Sequence, residues 1–220
     1  MTRYRCLVLD HDDTAVMSTP CIHYPSFVDT LRHLRPDIHL TLSEYVQLNF
    51  TLGFEKLCYD HLHFTQEEMD WQLSNWQKHV RASIPAFHPG MKEIIARQRE
   101  EGGLVCVVSH SYSQFVLRDY ENAAVPAPDL TLGWEIGSDR QKPHPWPLEE
   151  IMRRYALSPR DILVVDDLKT GFDMARAAGC DFAAALWAYE NAEILSTMKK
   201  DCADGYALES VQQLEKLLFD

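Results

Sequence analysis

The 220-residue chain lacks any apolar run long enough to span a bilayer, so we expect no membrane anchor. Basic residues are in short supply, because 21 Lys and Arg stand against 33 Asp and Glu. The resulting formal charge of -12 opposes nonspecific binding to nucleic acid or to anionic lipid. The first five residues precede a short strand that itself carries an acidic motif, which makes a cleavable signal peptide implausible.

The cysteines lack the paired spacing of a metal site. They are Cys6, Cys21, Cys58, Cys106, Cys180 and Cys202. Their scatter predicts reduced core thiols in a cytoplasmic protein. The chain also lacks internal repeats and low-complexity segments, and its length allows one large domain or a core with a smaller companion.

What the chain does contain is an abrupt change from apolar to acidic residues near its start. The strand-length run Leu7–Leu9 is followed by Asp10, His11, Asp12 and Asp13. Carboxylates this close repel one another unless a cation lies among their oxygens, and oxygen ligands favour Mg²⁺ over zinc. Because side chains alternate along an extended backbone, Asp10 and Asp12 face one side and His11 faces away. A solvated turn after a strand is the alternative.

Two later apolar runs also end in polar groups. Leu104–Val108 precedes Ser109, whose hydroxyl suits an oxyanion, and Ile162–Val165 precedes Asp166 and Asp167. Ligands of open α/β sheets bind at the carboxyl ends of the strands. These runs therefore predict a polar site at one edge of a parallel sheet, although Ser109 also suits a helix cap.

A lysine is held by prolines between these two runs. Lys142 precedes Pro143, Pro145 and Pro147, which fix φ and restrict the segment. A rigidly mounted ammonium suits a phosphate, whereas a surface lysine is the alternative. His110 and His144 lie beside these motifs, where either a substrate contact or an incidental role is possible.

The segments Asp10–Thr14, Ser109, Lys142–Pro145 and Asp166–Asp167 resemble, in order and separation, the four motifs of the haloacid dehalogenase superfamily. The helix expected within Asp167–Gly179 is similar to that of the phosphoglycolate phosphatase and β-phosphoglucomutase branch. This resemblance implies a Rossmann-like three-layer α/β core with a parallel sheet, at residues 1–16 and 88–220. Residues 17–87 are then an inserted α-helical cap.

The resemblance also implies a function. We expect a Mg²⁺-dependent phosphatase that hydrolyses a small organic phosphomonoester, with Asp10 as the nucleophile that forms an aspartyl-phosphate. Asp12 is implied as general acid and base, while Lys142 and Ser109 with the amide of His110 are implied to hold the phosphate. The expected partner is a small phosphorylated metabolite, and a monomer is plausible. A β-phosphoglucomutase-like phosphotransferase and a catalytically silent binding protein are the alternatives.

The metal ligands implied by the resemblance are Asp10, the backbone carbonyl of Asp12, and Asp167 with Asp166 as its neighbour. The order of Asp166 and Asp167 stays open. Asp13 stands where the family often has glycine, and Asp173 is expected on a helix face. The remaining candidate substrate contacts are Thr14, which also supports the first loop, His110, Gly53 and Lys56.

Gly53 and Lys56 belong to residues 49–56, the stretch that corresponds to the substrate loop of capped relatives. Helices are predicted on either side of it, over residues 26–34, 42–49, 54–62 and 66–83, with capping boxes at Thr41 and Thr65. Large apolar side chains of this region are expected to pack inside it; they are Tyr45, Leu48, Leu57, Trp71 and Trp76.

The rest of the chain alternates strands with helices, which predicts a parallel sheet covered by helices. The predicted strands are 104–108, 130–132, 162–165 and 182–186. The predicted helices are 91–101, 113–122, 147–155, 171–178 and 211–219.

Overall fold

The computed structural model describes residues 2–220. It divides into two compact units, one formed by Met1–Met17 with Ala86–Asp220 and the other by Ser18–Pro85. We call the first the core unit and the second the helical unit. Within residues 2–220, no helix combines the length and the apolar character needed to cross a membrane.

The helical unit begins with a short helical turn at Thr19–His23 and has another at Leu57–His61. Its other helices are α1 (Tyr24–Leu34), α2 (Leu42–Leu52), α3 (Phe54–Lys56) and α4 (Gln66–Ala82). Both predicted capping boxes are confirmed. The Thr41 hydroxyl accepts from the Glu44 amide while the Glu44 carboxylate accepts from the Thr41 amide, and Thr65 and Glu68 repeat the arrangement.

The interior of the helical unit is built by α1 and its neighbours. The rings of Phe27 and Tyr45 pack at a tilt of 39° with their centroids 4.8 Å apart, and Leu57 is fully buried beside them. Trp71 stacks on His33 at 4.3 Å, while the Trp76 indole donates to His23 Nδ1 at 3.0 Å. Leu48 packs against the buried cluster.

Residues 49–56 do not form the loop that the sequence predicted. Helix α2 continues to Leu52, and α3 begins at Phe54, so Gly53 alone separates them. The Gly53 amide still donates to the Asn49 carbonyl, and its φ of +79° changes the chain direction in a single residue, as glycine allows. Lys56 is exposed on α3.

The core unit is built on a parallel sheet. Its strands are β1 (Cys6–Leu9), β2 (Leu104–Val108), β3 (Leu130–Leu132), β4 (Ile162–Asp166), β5 (Asp181–Ala185) and β6 (Tyr206–Leu208). Within residues 2–220 these six strands are ordered β3-β2-β1-β4-β5-β6. Leu7 is in register with Val105 of β2 and with Leu163 of β4. The central strands are continuous apolar runs because a parallel sheet is buried on both faces.

Helices flank this sheet. They are α5 (Met91–Glu100), α6 (Ser113–Asn122), α7 (Trp146–Tyr155), α8 (Lys169–Ala178), α9 (Ala192–Asp201) and α10 (Val211–Phe219). The predicted Rossmann-like α/β core with its parallel sheet is confirmed. Strand β6 and helix α9 were not predicted. Asn191, which caps α9, and the buried pair Ile194 and Met198 were the available signals.

The prediction that the cysteines are core residues is correct for five of the six side chains, and none of the six forms a disulfide in the described part of the chain. Cys21 is the exception, because it is exposed in the helical turn that opens the helical unit. A thiol on the outer side of such a short turn has no core to enter.

Candidate active site

The site begins where two neighbouring strands end. Asp10 follows β1, and its amide donates to the Val165 carbonyl of β4 at 2.9 Å, so Asp10 lies beside Asp166. The Lys142 ammonium donates to Asp10 Oδ1 at 2.7 Å and to Asp166 Oδ2 at 2.6 Å. All three side chains are buried, where charges persist only when they are paired. The lysine is therefore a buried site residue and not a surface one.

Asp167 completes the acidic group. Oxygen atoms of Asp10, Asp166 and Asp167 all lie within 4.8 Å of one another. The Thr14 hydroxyl donates to Asp167 Oδ1 at 2.9 Å, and the Tyr189 hydroxyl donates to Oδ2 at 2.7 Å. Asp166 Oδ1 accepts from the Leu168 amide at 2.8 Å. Both hydrogen-bond partners of Asp167 are thus neutral hydroxyls, whereas Asp166 has a cationic partner.

Burial sets the electrostatics of this group. It raises the pKa of Asp10 to about 7 against the opposing attraction of Lys142. It also raises the pKa of Asp167 well above its usual value, and the charges of Asp10 and Asp166 add to that effect. For Lys142, burial alone would lower the pKa, but attraction to the two carboxylates outweighs burial and the pKa is raised. Negative charge therefore exceeds positive charge among these four side chains when all are ionised.

The loop after β2 brings hydroxyl groups to Asp12. The Ser111 hydroxyl donates to Asp12 Oδ2, and the Ser111 amide donates to Ser109 Oγ at 3.0 Å. The hydroxyl proton of Ser109 is not used by that bond, since Oγ is the acceptor. The Asp12 carboxylate lies outside the three-carboxylate group, whereas the predicted metal ligand is its backbone carbonyl.

Two of the three histidines next to the motifs are exposed. His110 Nε2 donates to the Lys142 carbonyl at 3.2 Å; the residue keeps some solvent contact, but partial burial of its ring, together with the Lys142 charge, lowers its pKa. His144 Nδ1 accepts from the Trp146 amide at 3.1 Å. His11 is buried and contacts Asp119 Oδ2 at 3.1 Å through Nε2, which agrees with its predicted orientation away from Asp10.

The first loop has an unusual backbone at Asp13. Its φ is +59°, in the left-handed region that aspartate tolerates better than most residues and that glycine tolerates best. His88 Nε2 donates to the Asp13 carbonyl at 2.8 Å, and the Trp187 indole donates to the Thr14 carbonyl at 3.1 Å. This loop is therefore fixed from two sides.

The structure thus brings together four of the predicted site residues, which are Asp10, Lys142, Asp166 and Asp167. Thr14 is buried and donates to Asp167. Asp12 and Ser109 are both hydrogen-bonded to Ser111. Asp173 lies on α8 in an ion pair with Lys169. Gly53 and Lys56 belong to the helical unit.

Sequence reasoning missed Tyr189, Trp187 and Ser111. Tyr189 and Trp187 follow β5, and their position after an apolar strand was the available signal.

The sequence model of the haloacid dehalogenase-like hydrolases matches residues 8–185, which include the site residues described above except Trp187 and Tyr189. The chain belongs to this family. A phosphoglycolate phosphatase from Aliivibrio fischeri is 27% identical over 118 residues, covering 52% of this chain and 51% of the relative. A phosphoglycolate phosphatase from Yersinia pseudotuberculosis is 25% identical over 122 residues, covering 52% and 49%. The chain spans about half the length of the curated relatives it matches.

Solved structures share the haloacid dehalogenase-like fold. A protein described as a haloacid dehalogenase-like hydrolase from Bacteroides fragilis superposes with a TM-score of 0.79 at 17% identity, covering 96% of this chain and 99% of the other. CbbY from Rhodobacter sphaeroides, in complex with xylulose-(1,5)bisphosphate, gives a TM-score of 0.65 at 18% identity, covering 82% and 85%. At these identities the likeness establishes the fold.

Proposed function

We propose that this protein is a Mg²⁺-dependent phosphatase that hydrolyses a small organic phosphomonoester through an aspartyl-phosphate. The pairing of Asp10 with Lys142 inside a buried group of three carboxylates carries the proposal. A carboxylate nucleophile and a phosphate dianion repel each other, so a site for this reaction needs fixed positive charge. The relatives named phosphoglycolate phosphatase support the phosphomonoester class.

The acidic group fits a divalent cation. Asp10, Asp166 and Asp167 offer oxygen atoms within 4.8 Å of one another, and the hydrogen bonds of Asp167 leave its charge uncompensated by Lys142. Carboxylate oxygens suit Mg²⁺. We infer that Asp10, Asp167 and the carbonyl of Asp12 bind it directly, while Asp166 serves as the counter-ion of Lys142. The bound ion supplies charge neutralisation at the phosphate oxygens.

The protein side chains then perform two displacements. An Asp10 oxygen bonds to phosphorus while the ester oxygen leaves, and Asp12 donates a proton to that oxygen. Asp12 next takes a proton from a water molecule that attacks phosphorus, which releases inorganic phosphate and restores Asp10. Lys142 and the Ser109 hydroxyl, with the His110 amide, hold phosphoryl oxygens throughout.

In this proposal the helical unit selects the leaving group. The helical unit is inserted directly after the loop that carries Asp10 and Thr14, so we assign it the role of cap. Lys56 then serves as a substrate contact, Gly53 sets the direction of α3, and His110 contributes from the core unit. The substrate is a small phosphorylated metabolite of the cytoplasm, in line with the free thiols of the chain.

Phosphate release from a panel of phosphate esters tests the proposal. We expect release in the presence of Mg²⁺, loss of release with chelator, and loss in Asp10→Asn. Asp173→Asn on the surface of α8 is the matched control and keeps its activity. Full turnover by Asp10→Asn contradicts the nucleophile assignment. Interconversion of sugar phosphates without release indicates the phosphotransferase alternative instead, and no reaction with any ester indicates the silent binding protein.

A further inference from the structure

We propose that Tyr189 is a positioning residue of the metal site, whose hydroxyl fixes the Asp167 carboxylate for Mg²⁺. Tyr189 follows β5 and the short helical turn Leu186–Ala188, and its amide donates to the Leu186 carbonyl at 3.2 Å. Strand β5 pairs with β4, so the turn after β5 lies beside the turn that carries Asp167. The inference rests on the proposed function, since it concerns the same metal.

The geometry at Asp167 is two-sided. Tyr189 Oη donates to Oδ2 at 2.7 Å and Thr14 Oγ1 donates to Oδ1 at 2.9 Å. A carboxylate held at both oxygens cannot rotate without breaking one of these bonds. Each carboxylate oxygen has two lone-pair sites, so one hydroxyl on each leaves a site on each for a cation.

A second contact connects the same segment to Thr14, the other residue that donates to Asp167. The Trp187 indole donates to the Thr14 carbonyl at 3.1 Å. Residues 187–189 therefore fix both Asp167 and the residue that supplies its other hydrogen bond. The segment after β5 therefore positions Asp167 relative to the loop after β1.

A positioning role predicts an effect on metal affinity in particular. Hydrogen-bond partners of metal-ligating carboxylates are worth about 10–100-fold in metal affinity or activity. Removing the Tyr189 hydroxyl frees one oxygen of the Asp167 carboxylate. The entropy cost of ordering that carboxylate then falls on the binding of Mg²⁺, which weakens the affinity. The phosphate contacts proposed for Lys142 and Ser109 are unchanged, so substrate affinity at saturating Mg²⁺ should be retained.

The test is Mg²⁺ binding by isothermal titration calorimetry to the full chain, without substrate. We expect the dissociation constant of Tyr189→Phe to rise about tenfold or more. Tyr155→Phe is the matched control, because it also loses one hydroxyl hydrogen bond, to the Asp129 carbonyl at 2.8 Å, and we expect wild-type affinity. A second measurement is the rise in melting temperature that Mg²⁺ produces in each variant over its own metal-free form, which corrects for basal stability.

The outcomes separate the two proposals. An unchanged dissociation constant in Tyr189→Phe, or equal weakening in both variants, overturns the positioning role while the phosphatase proposal stands. Absence of Mg²⁺ binding in the wild-type protein overturns the metal-dependent function, and the positioning role with it. A weaker Mg²⁺ affinity with an unchanged KM at saturating Mg²⁺ supports the positioning role.

Discussion

The backbone of Gly171 lies directly against the carboxylate of Asp166. A Cβ atom built on Gly171 would lie 2.3 Å from both Cγ and Oδ2 of Asp166. Gly171 is buried in α8, which packs on β4, and Oδ2 is the atom that Lys142 contacts. The absence of a side chain at residue 171 therefore leaves the space in which Asp166 meets the lysine.

Gly171→Ala should destabilise the protein although alanine is the better helix former. In an exposed helix the change would gain about 1 kcal/mol, but here the methyl group must displace Asp166 from Lys142. We expect a loss of about 1–3 kcal/mol in the free energy of unfolding, together with loss of phosphate release. Urea denaturation measures the first. Asp173→Ala, on the same helix, should stay within about 0.5 kcal/mol, and a Gly171→Ala protein more stable than wild type refutes the packing argument.

Lys142→Met should leave two buried carboxylates without their cation. Removing one partner of a buried ion pair costs about 3–5 kcal/mol, and Lys142 pairs with both Asp10 and Asp166. We expect a loss in that range in urea denaturation, measured without Mg²⁺. Lys199→Met removes an exposed ion pair with Glu209 and should cost about 1 kcal/mol or less. Equal effects of the two substitutions would mean that burial of the lysine has no energetic consequence.

The sequence predicted the core of this site because each part has a local pattern. Asp10, Asp166 and Asp167 follow apolar runs of strand length, and carboxyl ends of parallel strands share one edge of a sheet. The place of Lys142 in the site was inferred from the prolines that follow it and from the family resemblance. Local patterns were therefore sufficient for the acidic residues, and the resemblance added Lys142.

Contacts made by residues outside these motifs were not predictable in this way. Tyr189 meets Asp167 across 22 positions, and Trp187 meets Thr14 across 173. Neither aromatic residue has a periodicity that distinguishes a hydrogen-bond donor from a packing residue. The predicted substrate loop failed for another reason, since Gly53 turns the chain in one residue and the helices extend to either side of it.

Asp119→Ala should destabilise the protein by removing a buried contact to His11 of the first loop. Asp119 is buried, accepts from Arg118 Nη2 at 2.6 Å and contacts His11 Nε2 at 3.1 Å. Alanine leaves both partners without the carboxylate, at a cost of about 1–3 kcal/mol, and loosens the backbone between Asp10 and Asp12. Thermal and urea unfolding measure the cost. Asp139→Ala removes an exposed carboxylate and should change stability by about 0.5 kcal/mol or less; similar losses in both variants contradict the prediction.

His88→Gln should cost more stability at pH 7.5 than at pH 5.5. Burial lowers the pKa of His88 below its ordinary 6.5, so the unfolded chain binds the proton more readily than the folded one. The contribution of the neutral imidazole is therefore complete above pH 6.5 and is lost as the pH falls toward the lower pKa of the folded state. Urea denaturation of both proteins at the two pH values measures the difference. The exposed His39→Gln control should show the same small effect at both, and an equal loss in His88→Gln at pH 7.5 and 5.5 would show that His88 acts only through its hydrogen bond to Asp13.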